Sequence, residues 1–203
     1  MPAGALAPLP RAFYARPTET VARELLGKVL VRRLGHRELR ARIVEVEAYL
    51  GERDAASHAR RGPTPRAAIM FGPPGFLYVY LVYGVHHCMN FVTETDGVAG
   101  AVLVRAAEPL DGADAGALRG PGKLCLGLGV TLRDKGRDLT SRAAGLYVAD
   151  AGGPRPSIGR SPRVGVDYAG AWAARRLRFF VPGHASVSGP RRRAGTSGYS
   201  SDA

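Results

Sequence analysis

The stretch EVEAYLGERDAASHARRG, residues 45–62, places Glu45, Glu47, Tyr49 and His58 within fourteen positions. Those residue types can do acid–base chemistry: a carboxylate activates water or steadies a developing cation, and a neighbouring phenol or imidazole orients it. Apolar and polar positions alternate through residues 42–50, which is strand periodicity. A period of two puts Ile43, Glu45, Glu47 and Tyr49 on one face and Val44, Val46, Ala48 and Leu50 on the other. The aliphatic face belongs in a core, and the acidic face must meet water or a cleft. Periodicity alone reads it as a solvated face. The adjacent tyrosine and the basic surroundings turn the reading toward a site.

A second cluster, LYVYLVYG, holds Tyr78, Tyr80 and Tyr83. Tyr78 and Tyr80 share a strand face, while Tyr83 has the opposite parity and precedes Gly84 at a bend. Three tyrosines in six residues are good strand formers; in a basic protein they are equally platforms on which bases stack. His86, His87 and Cys88 follow. Adjacent strand residues point to opposite faces and no second His/Cys cluster lies near, so they read as structural or polar positions, not as a metal site. GPGKLC is glycine-rich around Lys123 but lacks the spacing and the Ser/Thr of a nucleotide-binding loop. A phosphate contact by Lys123 remains open.

The elements that must position these residues are short. Thr18 reads as the N-cap of a helix over ETVARELL, stopped by Gly27. KVLVRR (28–33) and ELRARIVEVEAYL (38–50) read as one hairpin, and FLYVYLVYG with HHCMNFVT as a second that bends at Gly84. GAVLVRAAEP is a further strand, and GKLCLGLGV is helix or strand. SPRVGVDY and LRFFVPG supply late strands around a helical AGAWAARR. The expected architecture is α+β: a single domain with a curved, mostly antiparallel sheet, surrounding helices and a protruding hairpin. Residues 1–12 read as a flexible start, 13–188 as the domain and 189–203 as a disordered basic tail.

The 203 residues carry 29 Lys and Arg against 17 Asp and Glu, a net charge of +12. All but three of the cations (Lys28, Lys123, Lys135) are arginine, whose planar fork suits phosphate oxygens and base edges. Nucleic acid is the expected partner; an arginine-biased composition that leaves a merely soluble surface is the bland alternative. Two cysteines without metal spacing fit a reducing cytoplasm. The longest apolar run, GFLYVYLVYGV (75–85), is too short to span a bilayer, and the start lacks the pattern of a signal peptide. A soluble, cytoplasmic, nucleoid-associated protein is expected, with no membrane partner.

Five blocks in order, RIVEVEAYLG…DAASHARRG, MFGPPGFLYVYLVYGVHHCMN, VLVRAAEPLDG, GPGKLC and PRVGVDYAGAWA, make the chain resemble the alkylpurine (3-methyladenine) DNA glycosylases of the single-domain type found in bacteria and mammals. The resemblance runs from about Phe13 to Ser188. It implies a monomeric, cofactor-free and metal-free hydrolase of base excision repair, acting on double-stranded DNA that contains damaged purines. Such an enzyme flips out 3-methyladenine, 7-methylguanine, hypoxanthine or ethenoadenine and leaves an abasic site. Residue by residue, the resemblance makes Glu47 the general base and Arg105 the cation that orients the attacking water. It makes Tyr49 and Tyr80 the walls around the flipped base, with His58 closing the pocket and Asn90 disfavouring a 2-amino group. Tyr83 takes the vacated place in the stack, and Tyr78, Arg66 and Lys123 contact DNA. Two positions depart from the family's pattern: the segment before GPGKLC is short, and Val85 stands where a methionine is common. Competing readings are a non-catalytic nucleic-acid-binding module and an RNA-binding accessory domain, neither of which needs Glu47, Tyr49 and Tyr83 together.

Overall fold

The computed structural model describes residues 6–189. Residues 1–5 and 190–203 lie outside the described residues, and with them the expected basic tail apart from Gly189. Three α-helices, α1 (Arg11–Tyr14), α2 (Thr18–Leu25) and α3 (Pro121–Gly127), accompany eight strands. The strands are β1 (Val29–Leu34), β2 (Arg37–Tyr49), β3 (Leu77–Val82), β4 (His86–Val92), β5 (Ala101–Pro109), β6 (Leu146–Ala149), β7 (Gly159–Ser161) and β8 (Arg178–Phe180). Every pairing is antiparallel, in the order β3-β4-β5-β2-β1-β6, with β8 joining β2 to β7. The expected α+β architecture with one mostly antiparallel sheet and a projecting hairpin is what the chain adopts. Among the described residues no helix is long and apolar enough to cross a membrane.

Strand β2 explains why the two glutamates are not a solvated face. Its first half pairs with β1, from Arg37 opposite Leu34 to Arg42 opposite Val29. Its second half then gains β8, with Glu45 opposite Phe180 and Glu47 opposite Arg178, while β5 runs along the other edge. Glu45 and Glu47 therefore sit in the middle of the sheet and are 0% exposed. The β2–β5 ladder is irregular here, slipping between Ile43 and Glu45 and again between Glu45 and Val46. Such a bulge re-aims side chains next to a site. The aliphatic face behaves as expected, with Val46 and Ala48 in the main core beside Leu25, Phe91 and Phe179.

Several local expectations change. Thr18 is the first residue of α2, and not its cap. Its N–H and hydroxyl both donate to the carboxylate of Glu94, at 2.7 and 2.6 Å, so the cap comes from 76 residues away. GKLCLGLGV contains α3, opened by Pro121 at its first position. Of SPRVGVDY only Ser161 is strand: Pro162 has no N–H to give a ladder and Gly165 turns the chain at φ +73°. A 3₁₀ segment, Asp167–Trp172, replaces the expected late helix. Strand β6 lay unforeseen in a loop-like stretch. Within the start expected to be flexible, Leu9 is buried and its N–H donates to Val148 O at 2.7 Å.

After β2 the chain must turn sharply to bring His58 back under the sheet, and Gly51 makes that turn. It sits at φ +69°, and a Cβ there would lie 2.2 Å from the carbonyl oxygen of Ala99. Gly35, in the β1–β2 turn, also has positive φ (+59°) but open space around it. Gly51→Ala is therefore expected to lose about 3 kcal/mol, combining left-handed strain with overpacking, against about 1 kcal/mol for Gly35→Ala, which carries the strain alone. Urea unfolding of the two variants checks the ordering; equal losses would contradict it.

Candidate active site

A cleft of about 750 Å³ opens between β2, the β3–β4 hairpin and the loop before α3. The ten residues to which the resemblance gives a role all line it: Glu47, Tyr49, His58, Arg66, Tyr78, Tyr80, Tyr83, Asn90, Arg105 and Lys123. They arrive from β2, a 3₁₀ turn at 58–61, β3, β4, β5 and α3, so the sheet assembles what the sequence scatters.

Glu47 lies at the floor. Its Oε1 accepts from the Val164 N–H at 2.8 Å and stands 3.3 Å from Nη1 of Arg105. Its Oε2 accepts from the Tyr49 hydroxyl at 2.9 Å. Burial pushes this carboxyl above the usual carboxylate range; the Arg105 cation, the Val164 N–H and the Tyr49 hydroxyl pull it back. The carboxylate that results is basic, oriented and sheltered from bulk water, which suits a general base.

Arg105 is itself held. Its Nε donates to Glu45 Oε1 at 2.8 Å. The same carboxylate accepts from Arg178 Nε (2.7 Å), Ser188 Oγ (2.8 Å) and the Ser188 N–H (2.5 Å). Four donors from three residues hold Glu45 in place, three of them on Oε1. It anchors Arg105.

The walls are aromatic. Tyr49 and Tyr80 both face the cleft, and the His58 ring meets Tyr80 edge-on at 4.6 Å. Burial and then Arg66 lower the His58 pKa to about 4, so the imidazole is neutral at pH 7. His58 Nδ1 and the Tyr78 hydroxyl share a hydrogen bond of 2.9 Å. Tyr78 is only 1% exposed and lines the cleft from within, so any contact it makes with DNA is inside the pocket. Asn90 is buried, with Nδ2 donating to Tyr78 O at 3.2 Å, which fixes its amide in the pocket. Cys88 also lines the cleft, and burial raises its thiol above the ordinary value, leaving it protonated and unreactive.

The rim is basic and carries the hairpin tip. Arg66 is exposed, with its guanidinium 5.0 Å from the Tyr80 ring centroid, and Lys123 is exposed in the first turn of α3. Tyr83 is 92% exposed at φ +53° and Gly84 follows at φ +70°. Positive φ at both central residues is what a tight type I′ hairpin turn requires, and a tyrosine accepts it at a cost of about 1 kcal/mol. The sequence reading singled out neither Arg163 nor Asp54, which pair behind Tyr49, nor Tyr168 and Arg119 on the rim. Asp54 lies in the DAASHARRG block and Arg163 and Tyr168 in the PRVGVDY block, while Arg119 lies just before GPGKLC.

Comparison with known proteins follows the same line. The sequence profile of the methylpurine-DNA glycosylase family matches residues 12–185. A protein of Anaeromyxobacter dehalogenans (strain 2CP-C) named "Putative 3-methyladenine DNA glycosylase" is 58% identical over 183 residues, covering 90% of this chain and 87% of its own. Proteins of the same name from Myxococcus xanthus and Methanocella arvoryzae are 50% and 48% identical, each over 89% of this chain and 93% and 95% of their own.

The balance at Glu47 is measurable. In ¹³C-detected titration its carboxyl is expected to change above the ordinary glutamate value of 4.5. Arg105→Met should move that midpoint higher still, because the cation that favours the ionised form is gone. A midpoint that falls on loss of Arg105 would contradict this account.

Proposed function

The chain belongs to the methylpurine-DNA glycosylase family, and from that premise we propose that it excises alkylated and deaminated purines from double-stranded DNA. Enzymes of this kind hydrolyse an N-glycosyl bond in DNA repair. The finer reading covers 3-methyladenine, 7-methylguanine, hypoxanthine and ethenoadenine as substrates, a monomeric enzyme, and an abasic product whose strand stays intact.

The observation that carries the reading is the hydrogen bonding of Glu47. Oε1 is committed to Val164 and Arg105, whereas Oε2 takes only the Tyr49 hydroxyl among the described residues. An acceptor position on Oε2 is free to hold a water. As the glycosidic bond lengthens, positive charge develops on the sugar; the buried carboxylate steadies it and takes the water's proton as oxygen bonds to C1′. Arg105 keeps Glu47 ionised and fixed in place. The released purine departs from between Tyr49 and Tyr80, whose ring faces favour a flat base and attract a cationic one.

A purine inside a duplex reaches Glu47 only after flipping, which costs a few kcal/mol, roughly. Tyr83, projecting from a strained tip, is the group we assign to the gap left behind. Arg66 and Lys123 on the rim hold phosphates, and Asn90 disfavours the 2-amino group of guanine. Release without strand cleavage is supported by the lysines. Lys28 is paired with Asp150, and none of the three lies on a strand beside Glu47 to form a Schiff base. The chemistry calls for no cofactor.

Glu47→Gln is expected to lower single-turnover release of hypoxanthine from a duplex by at least about 100-fold, within the span typical of a general base, while binding to the same duplex changes little. Alkaline cleavage of an end-labelled strand reads the abasic product. A variant that keeps near-normal rates would remove Glu47 from the base's role.

A further inference from the structure

One wall of the cleft has a buried cation on its far side. Arg163, with no side-chain exposure, forms a two-pronged ion pair with Asp54, Nη1 to Oδ2 at 2.5 Å and Nη2 to Oδ1 at 2.8 Å. Nη1 also donates to Ala48 O at 2.9 Å. The guanidinium lies over the Tyr49 ring, 4.6 Å from its centroid. Tyr49 lines the cleft and Arg163 does not, so the cation occupies the outer face of the ring and leaves the inner face for a base.

This arrangement is built, since the fork is locked by a fully buried carboxylate that has further duties. Asp54 also accepts from the Leu50 N–H and the Ala56 N–H, each at 3.0 Å, which fixes the turn that follows Tyr49. A bidentate pair of this kind has little freedom to swing away. Arg163 is also the residue before Val164, whose N–H holds Glu47, so one short segment sets both the wall and the base.

An aromatic ring attracts a cation through the negative charge on its faces. A guanidinium on one face draws on that charge and repels a second cation on the other. A neutral purine stacked on the inner face loses nothing by it. We propose that Arg163 is a specificity-determining residue: its charge behind Tyr49 reduces the advantage of a positively charged purine and keeps neutral purines competitive. Asp54 balances the charge at a distance, yet the guanidinium is what the phenol registers. Burial and then Glu47 push the Tyr49 pKa up, and Arg163 pulls against them.

The inference rests on the assignment of the cleft to purine excision, and the experiment separates the two. Single-turnover excision is measured for hypoxanthine, a neutral base, and for 3-methyladenine, a cationic one, each in a duplex at saturating enzyme. Arg163→Met with Asp54→Asn removes the charge without stranding a buried carboxylate. Both rates should fall as Tyr49 and Glu47 loosen, but the ratio of 3-methyladenine to hypoxanthine should rise about tenfold, between the sizes of an exposed and a desolvated cation–π contact. Arg163→Lys keeps the charge and loses the fork, so rates fall while the ratio stays at the wild-type value. If the double variant does not fold, Arg163→Gln, which offers donors to Asp54 without charge, takes its place. An unchanged ratio in the uncharged variant, or an equal rise in Arg163→Lys, would overturn the inference alone. Failure of the wild-type protein to release either base would overturn the reading of the site and the inference with it.

Discussion

Two carboxylates, two residues apart and without exposed surface, lie at the centre of the sheet, and the rest of the site is arranged around that constraint. Buried charges cost several kcal/mol each unless they are paired and hydrogen-bonded. Here the compensation is divided. Glu45 collects four donors, three on one oxygen, and anchors Arg105, while Glu47 receives three and faces the cleft. Arg105 joins them, bonded to Glu45 through Nε and facing Glu47 through Nη1. The asymmetry separates a carboxylate that holds Arg105 from the one proposed to react. In a protein of net charge +12, the buried Arg105 pulls against the burial that favours the neutral form of Glu47.

The same economy of parts runs outward from the floor. Strand β8 covers the second half of β2, brings Arg178 to Glu45 and hands the chain on to Ser188 at the same carboxylate. The irregular segment from Pro162 to Val166 gives up strand pairing, and in return Arg163 backs Tyr49 while Val164 holds Glu47. On the opposite side, the β3–β4 hairpin brings Tyr80 and Asn90 into the cleft and lifts Tyr83 to its edge. The tip pairs a strained backbone with an exposed ring, as functional turns often do.

Much of this was legible in the sequence, and the reasons are physical. Alternation in residues 42–50 and the β-prone run FLYVYLVYG broken at Gly84 pointed to the two hairpins, because strand-forming runs separated by turn residues leave little choice of pairing. The order of chemical groups along the chain resembles one family closely enough to point to ten of the residues that line the cleft, though not to Val164, Tyr168 or Arg119. Burial of the glutamates was not legible, because it depends on β8, more than 130 residues downstream of Glu45. The cap on α2 was missed for the same reason: Glu94 is far from Thr18 in sequence. The pairing of Asp54 with Arg163 was not legible either, because a buried ion pair between distant segments leaves no periodic trace, and strand parity alone does not say that Tyr78 lies deeper than Tyr80.

The central claim is geometric: a flipped purine enters between Tyr49 and Tyr80 with its sugar carbon over Glu47. The direct measurement is a crystal structure of the Glu47→Gln protein bound to a duplex containing one hypoxanthine. The account predicts the base stacked between those two rings, Tyr83 in the vacated position of the helix, and C1′ within reach of a water held at residue 47. A base still stacked in the duplex, or lodged away from Tyr49 and Tyr80, would contradict it.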